Sequence, residues 1–488
     1  MMAELTLVKS DMEKIKFSDL IRSYGNKTLF LGEEARLSYD EVSALGCKAE
    51  FQLTRRRLVF CLAENDLGSL AGYIGLLVAD AVPLMLSAGI EHSQLQELIA
   101  AYRPAYIWLS DSRRDDFRGL DCVISFEGYC LLDFGAKACQ INNSLSLLLS
   151  TSGSTGTPKF VRLSHENVIS NALSIAQYME LSSDEIPITT LPPSYTYGLS
   201  IIHSHLLVGA TIAITNKTLF DRTFWDFFRQ VKATNFGGVP YHYEILKKLR
   251  FTKMDLPSLN MLSQAGGRME AELTKEFAEF GASRGIRFFT MYGQVEATAR
   301  MSYLPSTKAI SKAGSIGNAI PGGNFWIEDD LRHPIEGADV VGQLMYRGSN
   351  VFMGYAHEYI DLAKGDEYQG ILPTGDLAKR DAEGDYYIVG RLKRFIKLFG
   401  HRVNLLDVEE FLLNKGYLVA CTGQDNLLEV YCPKLAVDNA RLIKRFIVEH
   451  LKLAPKSVII YAVDDLPRNE SGKIQYAELI PKIGVLLV

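Results

Sequence analysis

Along most of the chain, short continuous apolar runs alternate with longer amphipathic stretches. Leu58–Ala63 (LVFCLA) is apolar at every position, which predicts a strand buried on both faces. The following NDLGSLAGYIGLLVADA predicts a helix, and VPLMLS the next strand. AYIWLS, SLSLLLS, TIAIT, NFGGVP and IRFFTM repeat the theme. Buried strands separated by helices imply an α/β architecture, with parallel-rich sheets flanked by helices.

After Gly390 the texture changes. RLKRFIKLFGHRV is basic, and the remainder reads helix (LLDVEEFLLNK), strand (YLVACT), strand (LLEVYC), helix (ARLIKRFIVEHL) and strand (SVIIYAV). That pattern predicts a small α+β unit. The expected division is a large domain of residues 1–392 and a C-terminal one of residues 393–488, with the boundary near Lys393.

A length of 488 residues fits this division, because single cores stop growing well below that size. The net charge of -5, with no long Lys/Arg block, argues against a nucleic-acid surface. The short run Arg55-Arg56-Arg57 reads as a solvated lead into the LVFCLA strand. Seven scattered cysteines with no CxxC or Cys/His ligand spacing suit a reducing compartment, and a cytoplasmic protein is expected. The N-terminal stretch lacks the apolar centre of a signal peptide, and no run of about 20 apolar residues predicts a membrane span.

The densest chemical signal is STSGSTGTPK, Ser150 to Lys159. It follows an apolar strand and precedes SHENVISNALSIAQYMEL, a helix with Ser164 as candidate N-cap. Glycines let backbone N–H groups turn toward an anion, hydroxyls add donors, and Lys159 adds positive charge. A Walker A loop would need Ser or Thr after the lysine, and Phe160 stands there.

This string resembles the signature loop of the adenylate-forming superfamily: acyl-CoA synthetases, peptide-synthetase adenylation domains and beetle luciferases. It departs from the usual YTSGTTGxPKG at its ends, with Ser150 for Tyr and Phe160 for Gly. The resemblance implies that Thr151, Ser152, Gly153, Ser154, Thr155, Gly156 and Lys159 hold the ATP β- and γ-phosphates. Further motifs follow in the family's order. TLPPSYTYGLS is similar to the acid-pocket motif, and NFGGVPYHYEIL to the segment lining that pocket; Tyr195, Tyr197, Gly198, Gly238 and Tyr241 are the implied pocket residues. LSQAGGRM resembles the segment where Gly266 and Gly267 let the chain approach adenine and acid. MYGQVEAT resembles YGxTE. By that likeness Tyr292 and Gly293 adjoin adenine, and Glu296 helps hold Mg²⁺; Val295 stands where Thr is usual. GQLMYRGSNVFMGY, ending at Tyr355, matches a segment expected to be structural.

The resemblance continues through LPTGD and VGR, which imply Asp376 on the ribose hydroxyls and Arg391 on ribose and phosphate. Lys393 falls at the hinge position and Gly400, in GHRV, on the thiol tunnel. In PRNESGKIQY, Lys473 takes the place of the catalytic lysine. The implied activity is an ATP-dependent ligase that activates a carboxylic acid as acyl-AMP and passes the acyl group to CoA or to the phosphopantetheine of an acyl carrier protein. A catalytically degenerate nucleotide- or acyl-adenylate-binding protein and a luciferase-like oxidase are the alternatives. SYTYGLS lacks the Asp usual in amino-acid activation, which argues against an α-amino acid substrate.

Overall fold

The computed structural model describes residues 16–53, 56–136, 139–151, 159–392, 394–398, 401–424, 426–451, 454–468, 472–479 and 485–486. Leu58–Ala63 (β1), Val82–Ser87 (β2), Tyr106–Ser110 (β3) and Leu145–Ser150 (β4) lie side by side in the order β4-β2-β1-β3. All these pairings are parallel. β1 is buried at all its positions, because helices and loops cover both faces. Antiparallel strands flank the parallel core, Phe160–Ser164 (β5) pairing with β4.

β5 passes straight into the helix His165–Tyr178 (α1), and a reciprocal cap fixes the junction. The Asn167 backbone N–H donates to Ser164 Oγ at 3.0 Å, and the Ser164 N–H donates to Asn167 Oδ1 at 2.8 Å. The predicted N-cap is therefore present. A second helix, Thr196–Leu207 (α2), comes before Asn235–Gly238 (β6), Met261–Gln264 (β7) and Arg287–Tyr292 (β8), neighbours in a sheet of nine strands among the described residues. These three are parallel neighbours in register, with Gly238 opposite Gln264 and Gln264 opposite Thr290. The short strand Ser302–Leu304 (β9) then returns antiparallel along β8. Gly354–Ala356 (β10) closes the edge of the first sheet beside β5. The predicted TIAIT strand is reduced to Ile212–Ala213 in the second sheet.

The chain groups by its contacts into two units. The first holds both large sheets, in the described residues up to Thr151, from Lys159 to Phe325 and in Tyr346–Leu372. The second holds Trp326–Met345 and the described residues from Pro373 onward. Ile371–Arg380 (β11), whose residues from Pro373 belong to the second unit, pairs antiparallel with Tyr386–Arg391 (β12). Beyond them the predicted helix–strand–strand–helix–strand order appears as Leu405–Leu413 (α3), Ala420–Gln424, Leu427–Pro433, Val437–Leu451 and Val458–Val463. Leu405, Val408 and Leu412 of α3 recur at helical spacing and pack with Val430, Ile443 and Ile460 into a separate core. All seven cysteines are unpaired. Among the described residues no helix is long and apolar enough to cross a membrane.

Candidate active site

Three neighbouring parallel strands, β6, β7 and β8, end at Gly238, Gln264 and Tyr292. Glycines sit at or just after each end: Gly237 and Gly238, Gly266 and Gly267, and Gly293. In α/β sheets ligands bind outside the carboxyl ends of the strands, so this rim is the natural mouth of a pocket. Two of the glycines have no substitute. Gly266 has φ +84°, and a Cβ there would lie 2.3 Å from the Tyr195 hydroxyl oxygen. A Cβ on Gly293 would lie 1.7 Å from the Ala299 carbonyl oxygen. The backbone must therefore stay bare where the pocket needs it close.

α2 roofs the rim. Tyr195 is its N-cap residue and Tyr197 is buried in its first turn. The Tyr197 hydroxyl lies 3.0 Å from both the carbonyl oxygen and Oγ of Ser263, and burial pushes its pKa up to about 12. Tyr195 also rises, mainly by burial, so both stay neutral hydroxyls at neutral pH. Gly198 lets α2 pack close to Leu191 and Pro192, and Tyr241 packs against the same apolar cluster as Tyr195 and Tyr197. The nearby histidines carry no charge. Burial lowers His203 to about 3 and both His205 and His242 to about 4, so all three are uncharged at pH 7.

A second cluster forms where β10 meets β5. The Tyr355 hydroxyl donates to Glu296 Oε1 at 2.9 Å, and Lys159 Nζ lies 3.7 Å from the centre of the Tyr355 ring. One tyrosine thus joins the lysine that ends the glycine-rich loop to the carboxylate of the MYGQVEAT motif. Burial, reinforced by Glu296, keeps the Tyr355 hydroxyl protonated and so a donor. Tyr355 belongs to the segment expected to be structural; the structure gives it a place in the site as well. The sequence signal was the Gly-Tyr pair closing that motif, but nothing in it named the partners.

Tyr355 is itself held by Arg162, which is fully buried. Arg162 donates to the carbonyls of Met353, Tyr355, Lys364 and Gly365 and to Glu367 Oε2 at 2.5 Å. It therefore ties the 353–367 segment to β5. Glu296 is fixed from its other side by a strained turn. Thr298 has φ +64° and ψ -60°, and the Ala299 N–H donates to the Ala297 carbonyl at 2.7 Å, a γ-turn of the rare, strained form. The Thr298 hydroxyl holds it through the Asn350 carbonyl at 2.8 Å, and Asn350 Nδ2 returns to the Ala297 carbonyl at 2.9 Å. Tyr292 receives a hydrogen bond from Gln294 Nε2 at 3.1 Å.

In the second unit, β11 and β12 place Asp376 directly opposite Arg391. Arg391 Nε donates to Asp376 Oδ1 at 2.6 Å; the carboxylate side chain is 3 % exposed and the guanidinium 56 %. The two predicted ribose ligands thus form one pair with its cationic end in solvent. Lys473 lies between Gly472, whose carbonyl accepts from Arg468 Nη1 at 2.8 Å, and Ile474, which forms a bridge with Arg468. Behind it, Arg394 stacks 3.7 Å over the Tyr476 ring and pairs with Glu409 Oε1 at 2.8 Å. The Cys421 N–H donates to the same Glu409 oxygen at 2.6 Å. Sequence reading did not single out Arg394, whose neighbours are several basic residues of ordinary appearance. Ser152, Gly153, Ser154, Thr155, Gly156, Lys393 and Gly400 lie outside the described residues.

Comparison with known proteins adds to this geometry. The sequence profile of the family described as AMP-binding enzyme matches residues 17–356. An indoleacetate–CoA ligase of Aromatoleum aromaticum is 28 % identical, over 80 % of this chain and 80 % of that protein. A 2-succinylbenzoate–CoA ligase of Bacillus pumilus is 28 % identical over 70 % of this chain and 69 % of its own. Among solved structures, an O-succinylbenzoate coenzyme A synthetase from Bacillus subtilis in complex with AMP superposes with a TM-score of 0.76 at 20 % identity. The superposition covers 94 % of this chain and 97 % of that one.

Proposed function

The chain belongs to the AMP-binding enzyme family, and from that premise we propose that it is an AMP-forming acid–thiol ligase acting in two steps. An acid carboxylate attacks the α-phosphorus of ATP, giving acyl-AMP and releasing pyrophosphate. A thiol of CoA or of a carrier-protein phosphopantetheine arm then attacks the acyl carbon and AMP leaves. The observation that carries this reading is the Tyr355 bridge, which puts Lys159 and Glu296 on one side chain. A cation and a carboxylate in that arrangement suit a triphosphate whose leaving end gains charge as the bond breaks.

The residues present fit a magnesium ion. Glu296 keeps one carboxylate oxygen off the Tyr355 bond, and a hard cation that bridges phosphates needs few protein oxygens. When bound, the ion would offset charge on the β- and γ-phosphates. The protein's own part is separate. Lys159 and the loop donors hold the phosphates, and Asp376 and Arg391 receive the ribose. Tyr195, Tyr197, Gly198, Gly238 and Tyr241 shape the acid pocket, and Lys473 neutralises charge at the reacting carboxylate and α-phosphate. In this reading residues 393–488 act as a lid, turning at Lys393 to exchange Lys473 for a thiol passage beside Gly400.

The test is acid-dependent ATP–pyrophosphate exchange across short, long, aryl, hydroxy and amino acids, followed by thioester assays with CoA and with a loaded carrier protein. Exchange with one class of acid is the expected result; none with any acid would sink the ligase reading. A finer check concerns Tyr355. Tyr355→Phe keeps the ring under Lys159 and removes only the bond to Glu296, worth about 1.5 kcal/mol for an ionised acceptor. Exchange is expected to fall about tenfold, with a higher magnesium concentration at half-saturation. An unchanged magnesium titration would show that the hydroxyl does not orient Glu296.

A further inference from the structure

Arg300 stands apart from every motif. It follows the γ-turn at Thr298, just before β9, and is 2 % exposed. Its Nε donates to Ser200 Oγ at 3.2 Å, and Nη1 lies 3.2 Å from the Tyr178 hydroxyl and 3.1 and 3.3 Å from the sulfurs of Met179 and Met291. The guanidinium sits 5.1 Å from the centre of the Tyr197 ring. No carboxylate faces it among the described residues, and Nη2 makes no hydrogen bond there. Its neighbours are hydroxyls, thioethers and an aromatic face.

An arginine cannot escape burial by losing its proton. A guanidinium taken out of water without an anion is costly, and stacking on Tyr197 offsets only part of that cost. No described residue supplies a counter-charge, although Arg162 in the same unit has Glu367. Arg300 touches the ring of Tyr197, the pocket residue whose hydroxyl meets Ser263 at the end of β7. A Cβ placed on Gly237 would lie 3.2 Å from that same hydroxyl oxygen. The cation thus stands against Tyr197, one of the proposed pocket residues, and its Nη2 donors are left for a planar anion.

We propose that the acid activated by this chain carries a second carboxylate, held by Arg300 at the inner end of the pocket, so that the substrate class is a dicarboxylic acid. This rests on the ligase reading above. It predicts selectivity by the far end of the acid rather than by the end that reacts.

The experiment compares three acids of equal length in the exchange assay: a diacid, its terminal amide and the methyl-terminated monoacid. Wild type is expected to favour the diacid by about 10²-fold in kcat/KM, the size of one charge-assisted contact. Arg300→Met should erase that preference by raising KM for the diacid far more than for the monoacid. Arg300→Lys should keep part of the preference. Melting temperatures establish that each variant folds. A monoacid preference in wild type, an unaltered ranking in Arg300→Met, or an equal fall for all three acids would overturn the proposal. If no acid supports exchange, the ligase reading is what fails, and calorimetric titration of the free acids decides Arg300 separately. Diacid binding lost in Arg300→Met then supports the site; equal binding of diacid and monoacid, or binding of neither, overturns it.

Discussion

Lys473→Ala is expected to lower acid-dependent ATP–pyrophosphate exchange by at least about 10²-fold while leaving the melting temperature within a degree or two of wild type. The two halves of this expectation have separate physical grounds. Lys473 is only partly buried, and the described residues around it are held by contacts made by other side chains: the Arg468–Ile474 bridge, the Arg468 bond to Gly472 and the Tyr476 ring under Arg394. Truncating the Lys473 side chain keeps those contacts. The proposed role is electrostatic, the neutralisation of charge gathering between the carboxylate and the α-phosphate, and one preorganised cation in a water-poor site is worth about 3–4 kcal/mol. Lys473→Arg keeps the charge but changes its shape and should recover only part of the rate. A Lys473→Ala protein that melts normally and exchanges at the wild-type rate would remove Lys473 from the chemistry.

The second large effect concerns stability. Arg162→Met should destabilise the first unit by about 3 kcal/mol, read as a lower denaturant midpoint at unchanged slope. Methionine fills similar space, so packing is not the issue. The loss comes from four backbone carbonyls and Glu367 that share one guanidinium and would lose their donors together. Glu367 is about half exposed and can turn to water, so most of the cost falls on the carbonyls. Arg162→Lys should recover little, since an ammonium cannot reach so many acceptors. Because Arg162 holds the carbonyl of Tyr355, exchange activity should fall as well, even where the variant is fully folded. A loss below about 1 kcal/mol would show that these carbonyls find water.

Much of the fold was legible in the chain. LVFCLA, VPLMLS and SLSLLLS became parallel strands because a run of that length with so few polar positions is stable when both its faces are covered. Ser164 capped its helix because the Ser-to-Asn spacing is local chemistry, complete within one turn. TIAIT shrank to two paired residues because strand length is set by the neighbours available to pair with, which composition does not contain. Of the candidate site, Lys159, Glu296, Asp376, Arg391 and Lys473 were singled out in the sequence because their motifs resemble those of the adenylate-forming superfamily, and their roles as ligands are proposed.

By itself, then, the sequence determined the element order, the glycine-lined strand ends and the identity of the charged groups, all properties encoded within a few residues of each other. Only the tertiary structure decided which of those groups meet. Lys159 and Glu296 come together through Tyr355, Asp376 pairs with Arg391 across two strands, and Arg162 grips a segment 191 to 205 residues away. It also left Arg300 buried with no carboxylate beside it among the described residues. Such contacts depend on through-space distances of a few ångströms between residues far apart in the chain. The free energy of a charge depends on whether an anion stands beside it, and that is a property of the folded packing and not of spacing.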